Sequence, residues 1–122
     1  MNEIIAKASW GLLALVHVMP ALVLFLPSMT QRLYSVSPTG DVGVLIVHRG
    51  ALFLGIVVAC LWAWIDPGAR RALSIIVSIS VVGFLFVYWR AGLPAGSLRT
   101  IAIADLIALL PLGYVIYAAW RT

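Results

Sequence analysis

Four stretches of this chain, residues 4–26, 44–65, 72–90 and 99–120, are each apolar over about the 20 residues that a helix needs to cross a hydrocarbon layer. In lipid every backbone N–H and C=O must be satisfied within its own segment or a closed barrel, so stretches of this length read as helices. Composition agrees: 64% of the 122 residues are hydrophobic and 10% charged, where a soluble domain has about 45–50% and about 25%. Eight basic and four acidic side chains are too few to cover a soluble core of this length. The expected fold is an all-α integral membrane protein, a four-helix up-down bundle forming a single transmembrane domain over residues 1–122.

The connections carry their own signals. "DPGARR" closes the second span and "AGLPAGS" the third, each with Pro and Gly as helix breakers. Short connections make consecutive helices antiparallel neighbours. The first connection, "PSMTQRLYSVSPTGDVG", is long and rich in Ser, Thr, Pro and Gly, and is expected to be an irregular loop. The first span follows Lys7 as a signal peptide's apolar region would, but it is too long for one and lacks a cleavage site close behind it. It is expected to be a retained helix. Trp10, Trp62, Trp64, Trp89 and Trp120 all fall near span ends, where aromatic belts form.

The basic residues give a net charge of +4. They stand singly or in one pair at span ends, as topology signals and headgroup contacts do, which excludes nucleic acid as a partner. Lys7, Arg70, Arg71 and Arg121 fall on one face and Arg32, Arg90 and Arg99 on the other. The balance favours both termini inside, in a bacterial cytoplasmic membrane. The single cysteine, Cys60, allows no intrachain disulfide and reads as a small packing residue.

The polar residues within the spans are the candidates for function. In "VLIVHRGALFLG" Arg49 lies roughly 7 Å inside the hydrocarbon, and Asp105 in "RTIAIADLIALL" lies roughly 9 Å inside the same face. Each charge alone costs about 2.5–3.5 kcal/mol to insert, and pairing reduces that, so an Arg49–Asp105 ion pair across the bundle is expected. It serves either helix register or ligand binding. His48, Tyr88 and Arg90 fall near the same end, and His48, Arg49, Tyr88, Arg90 and Asp105 make up the candidate ligand site. Together with Arg99 they make that mouth basic and suited to an anionic or electron-rich headgroup.

His48 stands about 100° around its helix from Arg49, at the head of a small-residue stripe through Ala51, Gly55 and Ala59. His17 and His48 differ in depth by roughly 9 Å, which argues against a shared haem iron. Pro20 and Pro111 mark kinks, and Ser74 and Ser78 are placed to bond their own backbone or a neighbouring helix. No nucleotide loop, metal set or nucleophile elbow is present, and the first span lacks the central carboxylate that small four-helix multidrug exporters require. No cofactor or metal is expected, and the residue set favours a non-enzymatic role.

"HRGALFLG" opening the second span, "GFLFVYWRAGLPAG" ending the third, and an acidic residue early in the fourth resemble the small bacterial four-helix membrane proteins of the DoxX-like group, most nearly its DUF4345-type members. The resemblance covers about residues 45–115. It implies a four-helix bundle in which Arg49, Gly50 and Gly55 match the start of the family's second helix. Gly92, Leu93 and Pro94 match its third-helix exit, and Asp105 matches its early acidic residue. The group has no single agreed activity; members similar to quinone-linked thiosulfate oxidation subunits imply a redox association.

The expected role is an accessory or amphiphile-binding subunit, with the bilayer, a lipid or quinone ligand, and a second copy or a membrane partner protein as its partners. Two readings stand beside it. One is a small oligomeric transporter gated by the ion pair. The other is a membrane enzyme or redox subunit acting on a lipid or quinone, with His48 or Asp105 as acid or base.

Overall fold

The structure, a computed structural model, describes residues 2–121. It is all-helical, and no strand occurs among the described residues. Four long helices, α1 (Asn2–Leu22), α3 (Gly40–Ile65), α4 (Arg70–Arg90) and α5 (Leu98–Trp120), are each long and apolar enough to span a membrane. A short helix, α2 (Met29–Tyr34), lies between α1 and α3, and a 3₁₀ turn (Pro67–Ala69) leads into α4.

Helix ends differ from the sequence expectation where local chemistry outweighs hydropathy. α1 stops at Leu22, two residues past Pro20, and the chain tightens through Val23 N–H to the Pro20 carbonyl before Pro27 ends the apolar run. α3 begins at Gly40, four residues before the apolar run, because Thr39 takes the extended conformation of an N-cap and Asp41 complements the helix dipole. The first connection is not wholly irregular: Thr30 and Tyr34, one turn apart, are both buried and give α2 an inner face. At the α3–α4 turn Asp66 accepts from Gly68 N–H at 2.9 Å and from the Trp62 indole at 3.3 Å. α4 ends where Gly92 adopts a φ of +92°, in the left-handed region that favours glycine.

The most extensive packing is between α1 and α3; α5 packs on both α1 and α4, and α4 touches α3 more sparsely. All four long helices contribute to the core, which includes Trp10, Leu13, Cys60, Val77, Val81, Leu112 and Val115. Trp10, expected in an interfacial belt, is instead 0% exposed within this core, whereas Trp62, Trp64, Trp89 and Trp120 are exposed. The sparse α3–α4 contact leaves an opening between those two helices.

Candidate functional site

The rotation of α3 around residue 49 determines the site. Gly50 is buried against α1, and a Cβ there would lie 2.8 Å from the Leu24 backbone nitrogen and 3.3 Å from the Pro20 carbonyl oxygen. At 100° per residue, fixing Gly50 on α1 turns Arg49 toward α4 and leaves His48 on the outer surface. Phe53, one turn on from Arg49, shares its face.

The Arg49 guanidinium carbon lies 4.6 Å from the Phe53 ring centre, 5.3 Å from that of Phe84 on α4 and 5.4 Å from that of Tyr34 on α2. Three helices thus hold the cation by ring faces. Burial pushes the Tyr34 phenol above its ordinary pKa, and the Arg49 charge opposes that rise. No hydrogen bond or ion pair from Arg49 to any described residue accompanies these contacts.

These groups line a groove of about 750 Å³. α3 supplies Ile46, Arg49, Leu52, Phe53 and Ile56; α4 supplies Ile76, Ile79, Ser80, Gly83, Phe84 and Val87. Tyr34, Val36 and Leu98 border it at the α2 end. Arg49 is the charged member of this lining. The volume falls within the range of about 300–1,000 Å³ typical of small-molecule sites. An apolar channel with one cation suits a ligand with an apolar body and one acceptor-rich end.

The five residues expected to form one site do not converge. The expected Arg49–Asp105 ion pair is not made: Arg49 acts on Asp105 electrostatically but without contact, and its guanidinium turns to the rings instead. Asp105 is 7% exposed on the inner face of α5, with Ala102, Ala108 and Leu112 along the same stripe. His48 is exposed on the outer face of α3. The Tyr88 hydroxyl donates to the Pro94 carbonyl and so closes the turn after α4, while Arg90 lies over Phe86 at 5.3 Å on an exposed surface. Arg49 is the member of the five that lines the groove.

Sequence reasoning missed the groove's aromatic clamp. Nothing in the sequence singled out Phe53 or Phe84 within their apolar spans, and Tyr34 lay in a stretch expected to be loop. A usable signal existed in the Arg49–Phe53 spacing of four, which puts a ring beside the cation on any helix.

It also missed a polar clamp at the opposite end of the bundle. Arg70 pairs with both carboxylate oxygens of Glu3, at 2.8 and 3.0 Å, and donates to the Ala63 carbonyl at 2.7 Å. Arg71 donates to the Ala119 carbonyl at 2.8 Å, and the Trp120 indole donates to Ser74 at 3.1 Å. Ser74 and Ser78 donate to carbonyls one turn back on α4. These bonds tie the ends of α1, α3, α4 and α5 together at the end of α3 away from Arg49.

No group of three or more His, Cys, Asp or Glu side chains among the described residues is arranged to hold a metal ion. His17 is buried and donates from Nδ1 to the Leu13 carbonyl at 2.7 Å, with its ring 5.6 Å from Phe53. No family model, curated protein or solved structure matches the chain.

Proposed function

We propose that the chain is a four-helix up-down bundle of the bacterial cytoplasmic membrane, DoxX-like in kind, with both termini inside. It acts as a non-catalytic subunit that holds an amphiphile, a lipid or a quinone, in the α3–α4 groove. The observation that carries this reading is Arg49: a cation in an otherwise apolar groove, held by three rings and without an acceptor among the described residues. An arginine within a span costs about 2.5–3.5 kcal/mol to insert. Ring contacts of about 0.5–2 kcal/mol each offset part of that cost, and an acceptor on a bound ligand offsets more.

The transporter reading relied on an Arg49–Asp105 gate, and the enzyme reading on His48 or Asp105 at the ligand. Neither His48 nor Asp105 lines the groove.

The test is native mass spectrometry of wild type and Arg49→Ala extracted gently from their own membrane. The expected result is a bound small molecule on the wild type that is lost from the variant. Bare protein in both, or the same adduct in both, would remove the reading.

A further inference from the structure

We infer that the groove's ligand is a single-chain acidic amphiphile, a long-chain carboxylate whose head is bound by Arg49. The inference rests on the amphiphile-binding reading and specifies its ligand class.

Charge complementarity is the first argument. The Asp105 carboxylate acts on Arg49 without contact, and the guanidinium carries no hydrogen bond or ion pair to a described residue. An arginine has five N–H donors in a planar fork that matches a carboxylate through two parallel bonds. A neutral carbonyl satisfies fewer donors and leaves the charge uncompensated in a low-dielectric site.

Depth is the second. α3 has 26 residues, roughly 39 Å of axis, and exceeds a hydrocarbon layer of roughly 30 Å by roughly 9 Å. With that excess shared between its ends, Arg49, nine residues and roughly 13–14 Å from Gly40, lies roughly 9 Å inside. A two-chain phospholipid carries its charge beyond a glycerol, in the headgroup layer. A fatty carboxylate carries it directly on the chain and can follow Arg49 inward.

Size is the third. The groove holds about 750 Å³, drug-sized rather than two-chain lipid-sized. From Arg49 it continues along α3 to Ile56, roughly 10 Å deeper, past Ser80 and Gly83. The Gly83 position faces open space within 4 Å, so the chain has a floor without a side chain.

The experiment uses the full chain in nanodiscs of zwitterionic lipid, titrated with palmitate, methyl palmitate, a neutral long-chain quinone and phosphatidylglycerol. Three variants accompany the wild type. Gly83→Leu fills the groove from a position with room for it, Arg49→Gln removes the charge, and Arg49→Lys keeps the charge but loses the fork. Palmitate is expected to bind the wild type at least about tenfold more tightly than its methyl ester, the gain of one charge-assisted pair. Arg49→Gln is expected to abolish that preference and Arg49→Lys to retain part of it. Gly83→Leu is expected to block every probe.

If the ester or the quinone binds as well as the acid while Gly83→Leu still blocks binding, the acidic head is wrong and the amphiphile site stands. If phosphatidylglycerol binds and palmitate does not, the single chain is wrong. Binding indifferent to Gly83→Leu, or no binding of any probe, overturns both the inference and the reading beneath it.

Discussion

The Arg49 guanidinium carbon lies 4.6 Å from the centre of the Phe53 ring, one turn further along the same helix. The Phe53 ring also stands 5.6 Å from that of His17 on α1. One phenylalanine thus links the cation in the groove to the tight α1–α3 interface, and its replacement is felt on both sides.

Phe53→Leu is therefore expected to lower stability by about 1–2 kcal/mol, through lost ring contact and lost packing, and to weaken ligand retention. Phe84→Leu is expected to weaken retention in the same direction, since its ring holds Arg49 from α4. Unfolding in mild detergent, with bound ligand counted by native mass spectrometry, reads both effects. Full retention in the double variant would show that the rings do not position the arginine.

Gly50 and Gly55 make a contrasting pair. A Cβ at Gly50 meets the Leu24 backbone, in the turn that follows α1, at 2.8 Å and the Pro20 carbonyl of α1 at 3.3 Å, and nothing lies within 4 Å of one at Gly55. Gly50→Ala is expected to separate α1 from α3 at a cost of about 1–3 kcal/mol, while Gly55→Ala leaves stability within about 0.5 kcal/mol. Equal thermal stability of the two variants would contradict the close approach at Gly50.

At the opposite end, Arg70→Met is expected to destabilise by about 1–3 kcal/mol, because the buried Ala63 carbonyl loses its donor and Glu3 its partner. Glu3→Gln is expected to have a smaller effect, its side chain being half-exposed while Arg70 keeps its carbonyl acceptors. A larger loss for Glu3→Gln would reverse that order.

Asp105→Asn and His48→Leu are expected to leave ligand retention unchanged. The Asp105 carboxylate has no hydrogen bond to a described residue, so its amide also removes a buried charge and holds or raises stability. His48 faces outward. Loss of ligand in either variant would return these residues to the site.

The number of long helices was legible in the sequence because hydropathy over about 20 residues is the strongest signal a chain can carry. Their ends were less so: residues 40–43 and α2 depend on an N-cap and a buried Thr30–Tyr34 face that hydropathy ignores. Arg49 stood out in the sequence as a charge among apolar residues. Its partner was not, because equal depth on two helices does not determine azimuth. A glycine pressed onto α1 turns Arg49 to α4, and only the packing of α1 on α3 reveals that. Trp10 was misread for a related reason: closeness to a span end does not say whether a ring faces lipid or core.

The most direct test of the central claim is photolabelling in membranes with a long-chain acid carrying a diazirine on its chain, followed by mapping of the labelled residues. The account predicts adducts concentrated at 46–56 and 76–87, on the faces of Ile56, Ile76 and Ser80, and their loss in Gly83→Leu. Labelling spread evenly over outward residues such as Leu61, Leu106 and Leu110, unchanged by Gly83→Leu, would contradict it.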